Sequence, residues 1–347
     1  MQIHSRYISR WLWSGAFLIF LMMIVGGITR LTGSGLSMTD WNLIMGALPP
    51  MNETEWMSIF ERYKQFPQYQ QINMEMPLAE FKEIFFWEYL HRLLGRVIGI
   101  VFLVPFLIFG IRGYFTPQML RRALLLFGLG ALQGAIDWIM VKSGLVDVPY
   151  VSHYRLALHL LLAFLLTGFC IWFALDLKEK RAKKRSSKIA ELKKWISVTA
   201  LFFFIQITWG AFTAGLHAGY IYNTFPLMNG EWIPQKAWMM QPVIMNLIEN
   251  PGTVQWVHRI IGTVLGILII WLWVRTQNAD VSPSLKLKAH LLLGLIFTQY
   301  LLGVLTLLFY VPIALGIAHQ AGAMLVWGTG LIYYHDLKKK HIKSICK

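Results

Sequence analysis

The feature that most constrains this chain is a succession of eight apolar runs, near residues 11–29, 86–111, 122–141, 154–176, 195–216, 254–274, 287–309 and 313–334. Each is close to the roughly 20 residues a helix needs to cross a hydrocarbon core. With 56% of its 347 residues hydrophobic, the chain carries more apolar surface than a soluble domain can bury. Hydrocarbon offers backbone N–H and C=O groups no water, so each run must satisfy them internally. The runs therefore predict an all-α polytopic membrane protein with eight transmembrane helices. Arg6 and Arg10 before the first run give it the look of a signal peptide, but no small-residue cleavage site follows, and it reads as the first membrane helix.

The placement of charge gives orientation and excludes one class of partner. Lys and Arg number 32 against 17 Asp and Glu, but they lie between the runs instead of lining a groove-reading helix, which argues against nucleic acid. The run KEKRAKKRSSKIAELKK (Lys178 to Lys194) and the tail from Lys338 to Lys347 share one side with Arg112, Arg121, Arg122, Arg275, Lys286 and Lys288. The positive-inside rule makes that side cytoplasmic and puts both termini there. The long loop 30–85 is acid-rich (Asp40, Glu53, Glu55, Glu61, Glu75, Glu80 and Glu83) and is expected outside, with Trp41, Trp56, Tyr63 and Tyr69 forming an interfacial cap. Two cysteines, Cys170 and Cys346, cannot build a disulfide framework or a thiolate metal cluster within one chain.

An internal repeat sets the architecture. EYLHRLLGRVIG (Glu88 to Gly99) recurs as QWVHRIIGTVLG (Gln255 to Gly266), matching His91 with His258, Arg92 with Arg259, Gly95 with Gly262 and Gly99 with Gly266. Weaker echoes join GGITRLTGSG (Gly26 to Gly35) to GAFTAGLHAG (Gly210 to Gly219), Gln133 to Gln299, and His159 to His319. The expected halves are 1–185 and 186–347. Four spans in each give both the same orientation, as two pseudo-symmetric four-helix bundles in a parallel repeat, so equivalent histidines share a depth near the outer side.

A lone intramembrane histidine is usually a hydrogen-bonded core residue. Two per half, on facing helices, can instead clamp a haem iron from both sides. The His-x-x-x-Gly-x-x-x-Gly spacing puts Gly95 and Gly99, and Gly262 and Gly266, on the histidine face, where they can clear a groove for a flat ring or serve close helix packing. Arg92 and Arg259 can pair with haem propionates or simply snorkel to the boundary. The halves differ in charge. Glu88, one turn before His91, corresponds to Gln255, and Arg30, Arg96 and Arg155 have approximate counterparts in Ala214, Thr263 and Leu315. A carboxylate beside a cofactor is costly unless it is used or paired, here with Arg92, Arg96 or Arg155. The residues thus suggest reaction in the first half and electron relay in the second.

These motifs resemble the haem A synthase family over nearly the whole chain. The resemblance is carried by GGITRLTGSGLSM (Gly26 to Met38), FERYKQFPQYQQINMEMPLAEFKEIFFWEYLHRLLGR (Phe60 to Arg96), VSHYRLALHL (Val151 to Leu160), AGLHAGYIYNTFPLMNGEWIP (Ala214 to Pro234) and LGIAHQAGAM (Leu315 to Met324). It implies that His258 and His319 hold a resident haem b, that His91 and His159 embrace the substrate haem O, and that Glu88 is the acid required for catalysis. The implied reaction oxidises a ring methyl through a hydroxymethyl stage to the formyl group of haem A, for terminal oxidase biogenesis, with electrons leaving through the second haem. Haem O synthase and oxidase assembly factors are the implied partners, besides the lipid bilayer. Lacking a cysteine pair in the first outer loop, the sequence resembles the cysteine-free branch, which includes mitochondrial and proteobacterial forms. Asp137 stands where the family usually has a small residue, and can either perturb the substrate site or pair with Lys142.

Two other readings compete. A two-haem b-type cytochrome exchanging electrons with quinone predicts equivalent sites and no role for Glu88. A transporter also uses parallel repeats, but the polar residues here gather at the outer ends of spans, with no half-helix breaks. Without a transit peptide, the expected location is a bacterial cytoplasmic membrane. The electron acceptor, the source of oxygen and the oligomeric state are left open by the sequence.

Overall fold

A computed structural model describes residues 2–39, 48–144, 149–177 and 187–338. Asp40, Trp41, Cys346, most of the basic tail and the first part of the basic run after Lys178 lie outside the described residues. Eight helices among the described residues are long and apolar enough to cross a membrane, and no strand is present there. They are α1 (Gln2–Leu31), α2 (Leu78–Ile111), α3 (Pro117–Gly144), α4 (His153–Asp176), α5 (Ser187–Gly215), α6 (Pro251–Gln277), α7 (Pro283–Leu308) and α8 (Ile313–Asp336). The chain is an all-α, multi-pass membrane protein. Most helices run longer than the apolar stretches, because their first and last turns extend into polar sequence, where helix formation continues until a cap stops it.

The stops are written in local chemistry. Asn250 accepts from the amides of Gly252 and Thr253, and Pro251 opens α6 with a fixed φ and no amide to satisfy. Ser282 and Pro283 begin α7 in the same way. At the end of α1, Gly33 adopts φ +67° and the Ser34 amide bonds back to the Thr29 carbonyl at 2.8 Å, closing a left-handed helix stop. The repeat partner of Gly33 is His217, which takes φ +53° at the end of α5, with its amide on the Ala214 carbonyl. The turn is thus kept even where the residue favouring it is not.

The helices pack as two rings, α1–α2–α3–α4 and α5–α6–α7–α8, joined along a seam where α4 meets α5, α1 meets α8, and α4 meets α8. The first two seam contacts are equivalent under the repeat, and the third pairs equivalent helices with each other. Side chains lock the seam by donating to helix carbonyls: Gln320 to Met23 at 2.8 Å and Trp327 to Phe164 at 3.0 Å. Gly168 lets the Trp327 indole lie against α4, where a Cβ would stand 2.9 Å from its nitrogen. The described parts of the connections, 32–39, 48–77 and 216–250, lie at one end of the bundle, the loop end. There Phe60, Tyr63, Phe81, Ile84 and Phe85 form a small core, with Trp56 edge-on to Phe85 at 5.0 Å. Tyr63 is fully enclosed in it and burial pushes its phenol up to about 12. It donates to Gln68, whose amide in turn bonds the Gly33 carbonyl at 2.7 Å and so ties the cap to the end of α1.

At the opposite end two ion pairs repeat: Arg122 with Asp176 at 2.6 Å and Lys288 with Asp336 at 2.5 Å. Arg122 stands eleven residues before Gln133, as Lys288 does before Gln299, and Asp176 stands seventeen after His159, as Asp336 does after His319. Asp176 also meets the His335 ring at 3.2 Å, which carries the network across the seam. Removing one partner of a buried pair leaves a charge without compensation, at a cost of about 3 kcal/mol. Asp176→Ala is accordingly expected to lower the thermal midpoint of the detergent-solubilised protein by several degrees. The Arg122→Met, Asp176→Leu double variant is expected to recover most of that loss, and differential scanning fluorimetry checks both.

Candidate haem-binding sites

The second half holds its two histidines face to face. His258, two turns into α6, and His319, in the second turn of α8, have ring centroids 6.4 Å apart with their planes at 79°. Metal–nitrogen bonds of about 2 Å on either side of one ion, plus ~1 Å from each nitrogen to its ring centre, require about 6 Å. The separation therefore suits one iron between the two imidazoles. His258 Nδ1 is buried without a hydrogen-bond partner among the described residues, an unmet polar atom of the kind that a ligand satisfies. His319 is oriented by Gln299, whose backbone carbonyl lies 3.1 Å from its Nδ1 and whose side-chain amide donates to the His319 carbonyl at 2.7 Å. Such a bond to one ring nitrogen selects the tautomer that leaves the other for iron.

Small residues on neighbouring helices make room for these rings. A Cβ at Gly303 of α7 would stand 2.8 Å from His319 Cε1, and one at Gly210 of α5 would stand 3.1 Å from His258 Cε1. In the first half Gly26, the repeat partner of Gly210, lies against His91, where a Cβ would come within 3.2 Å of Nε2. The glycines singled out by their spacing from the histidines divide between two uses. Gly95 and Gly262 are in close contact with Met22 and Gln206 across the helix pair, whereas Gly99 and Gly266 meet nothing within 4 Å.

In the first half His91 of α2 and His159 of α4 are near enough for their charges to interact, without the ring-to-ring contact that His258 and His319 make among the described residues. Gln133 of α3 holds His159 as Gln299 holds His319: its amide lies 3.2 Å from each ring nitrogen and from the His159 carbonyl. The Asp137 carboxylate, one turn farther along α3, lies 3.9 Å from His159 Nε2. Lys142 does not pair with it, and its ammonium instead lies over the Trp138 ring.

Glu88 is nearly inaccessible at 2% exposure, and its carboxylate is fully engaged. It accepts from the Ser37 hydroxyl at 2.7 Å, the Met38 amide at 2.8 Å, and Arg92 Nη2 and Nε at 2.5 and 3.1 Å. Arg92 Nη2 also donates to the Met38 carbonyl at 2.9 Å. Of the arginine partners open to Glu88, the fold selects Arg92, four residues on along the same helical face. The pair latches the segment following α1 onto α2. Gln255 and Arg259 do the same in the second half with inverted polarity. Gln255 donates to the Ala218 and Tyr222 carbonyls and accepts from Arg259, while Arg259 donates to Tyr222 and Thr224. Arg259 Nε remains buried without an acceptor among the described residues. Both arginines are thus loop tethers as well as candidates for propionate contacts.

Sequence reasoning passed over Ser37, Met38 and Gln206. The first two sit inside the long motif that begins at Gly26, and Gln206, 3.4 Å from His258 Nε2, lies one turn before Gly210 on α5. A polar residue at that spacing from a repeat glycine was the available signal. An apolar cavity of about 250 Å³, walled by Trp172, Phe203 and Trp327 among others, lies among α4 to α8 and touches none of the four histidines.

Comparison with known proteins gives one family match and many relatives. The family model described as "Cytochrome oxidase assembly protein", COX15-CtaA, matches residues 9–331. The chain is 44% identical to the protein named heme A synthase of Nitrosospira multiformis, covering 97% of this chain and 95% of the relative. It is 45% identical to that of Parvibaculum lavamentivorans over 96% and 94%, and 42% identical to that of Flavobacterium psychrophilum over 97% and 99%. 

The latch generates its own test. Ser37→Ala removes one hydrogen bond to a buried carboxylate, worth about 1.5–3 kcal/mol. Amide exchange across residues 34–38 is expected to accelerate by roughly ten- to a hundredfold, read by hydrogen–deuterium exchange, with exchange across 218–224 unchanged.

Proposed function

This chain belongs to the cytochrome oxidase assembly protein family COX15-CtaA, and we propose that it is a haem A synthase, a membrane oxidoreductase that converts a ring methyl of haem O into the formyl group of haem A. The 6.4 Å opposition of His258 and His319, with one imidazole nitrogen buried and unpartnered, carries this reading. In it these two residues would hold a resident haem b, and His91 and His159 would bind the substrate haem O. The halves 1–185 and 186–347 then divide the work into substrate oxidation and electron removal.

When bound, haem b supplies a one-electron carrier. The chain's own residues do the rest. Gln299 and Gln206 orient the ligands of the resident site, and Gln133 orients His159 at the substrate site. Glu88 is the acid of the reaction, one turn before His91 on the same helical face, where Arg92, Ser37 and Met38 fix its carboxylate in position. Its bonds to Ser37 and Met38 also latch the segment after α1 onto α2. With water as the source of oxygen, the methyl to hydroxymethyl stage releases two electrons and two protons, and the hydroxymethyl to formyl stage releases two more of each. Arg259 Nε is the donor left for a propionate of the resident haem, and Arg92 is the corresponding candidate at the substrate site.

The basic residues Arg112, Arg122, Arg275 and Lys288 all lie at the end opposite the histidines, which supports cytoplasmic termini in a bacterial inner membrane and haem sites toward its outer face. Delivery of haem O by its synthase and transfer of haem A to oxidase assembly factors fit that position.

The protein purified from a haem O-producing host is expected to show a reduced b-type spectrum and to yield haem b with haem O, hydroxylated haem or haem A on extraction. Haem b alone, at two per chain, would mark an electron-transfer cytochrome and overturn the assignment. His258→Ala and His319→Ala are expected to lose the resident haem. Glu88→Ala is expected to keep it while product falls at least tenfold, and product at the parent rate would remove Glu88 from the reaction.

A further inference from the structure

Two carboxylates stand near the substrate histidines, and they differ in one physical respect. Glu88 is saturated by Arg92, Ser37 and Met38. Asp137 has no hydrogen-bond partner among the described residues, although its side chain is only 17% exposed within a membrane span. Its nearest titratable neighbour is the His159 ring, with Oδ1 3.9 Å from Nε2, and it is also close enough to His91 for their charges to interact. The carboxylate therefore lies on the face of α3 that carries Gln133, toward the His159 ring. A carboxylate whose one polar neighbour stands 3.9 Å away inside a span is expensive unless a ligand completes its hydrogen bonding.

The repeat shows what position 137 would otherwise hold. Asp137 follows Gln133 by four residues, and Gly303 follows Gln299 by four. Both glutamines hold the histidine of the neighbouring helix, so the two helices are in the same register. At the resident site this position is a bare backbone against which the imidazole packs, with no space for a Cβ. At the substrate site it projects an anionic hydrogen-bond acceptor. A resident haem needs only room, whereas a macrocycle that gains a hydroxyl during reaction brings a donor that had no counterpart in the starting methyl.

Resting on the synthase reading, we propose that Asp137 is a specificity-determining residue of the substrate site, accepting the hydrogen bond of the hydroxymethyl stage and retaining it for the second oxidation. The unreacted methyl gives the carboxylate nothing to bind. The alcohol does, and hydrogen bonds to charged acceptors are among the stronger ones. The partly oxidised macrocycle is thereby held more tightly than the substrate that precedes it.

The test uses the full-length protein and its Asp137→Gly and Asp137→Asn variants, each expressed with haem O supply, with pigments extracted and resolved by chromatography. Asp137→Gly installs the residue of the resident half and is expected to raise the hydroxymethyl-to-formyl ratio about tenfold, with resident haem per chain unchanged. Asp137→Asn keeps the shape and a neutral acceptor, so it distinguishes charge from packing even where the glycine variant is poorly folded. Its ratio is expected to rise about threefold. A parent ratio in Asp137→Asn, or in a fully haem-loaded Asp137→Gly, overturns the role of Asp137 while leaving the synthase reading intact. A parent protein that yields neither oxidised pigment overturns both.

Discussion

In hydrocarbon a backbone amide or carbonyl has no solvent to bond, and everything in this protein follows from that. Helices satisfy their backbones internally, so a polar side chain within a span must find its partner on a neighbouring helix or in a ligand. Gln133 and Gln299 find the histidines of α4 and α8; Gln320 and Trp327 find backbone carbonyls across the seam. The described polar network is thus a map of where the two halves and the two sites are held. His258 Nδ1, which has no hydrogen-bond partner among the described residues, and the Asp137 carboxylate, which meets the His159 ring only at 3.9 Å, are positions that a ligand can complete.

Duplication supplies a frame, and divergence within it supplies function. The ion pairs Arg122–Asp176 and Lys288–Asp336 keep the terminal ends of both bundles closed by the same device. The glutamines and the left-handed turns after α1 and α5 are also repeated. What differs lies close to the histidines at the loop end: Glu88 against Gln255, Asp137 against Gly303, and Arg30 against Ala214. Glu88 accepts from an amide and a hydroxyl, whereas Gln255 donates to carbonyls, so the same latch is built with opposite polarity. Stability is symmetric here, and chemistry is not.

Much of this was legible in the residues. Eight apolar runs gave eight helices, and EYLHRLLGRVIG against QWVHRIIGTVLG located His91 and His258 in one step. The pairing of Gln133 with Gln299 and of His159 with His319 followed from the weaker echoes. The ion pairs at the terminal end were written at matching distances from those same residues, but two charges near helix ends look like ordinary boundary residues until a fold brings them together. Gln206 was hidden for a similar reason, since its repeat partner is Met22, an apolar residue that presses on the same face of α2.

By itself, then, the sequence determined the number of helices, the repeat, the histidine positions and the family, because hydrophobic length and periodicity are local properties of the chain. Only the tertiary structure decided which charge meets which. Glu88 could have paired with any of three arginines, and the one at helical spacing on its own face won because the segment 37–38 closes over both. Asp137 could have paired with Lys142, and it faces the histidines instead because α3 is turned to present Gln133 to His159, which carries the residue one turn later to the same side. Helix rotation about its own axis is set by packing against neighbours, a long-range property that no stretch of sequence carries alone.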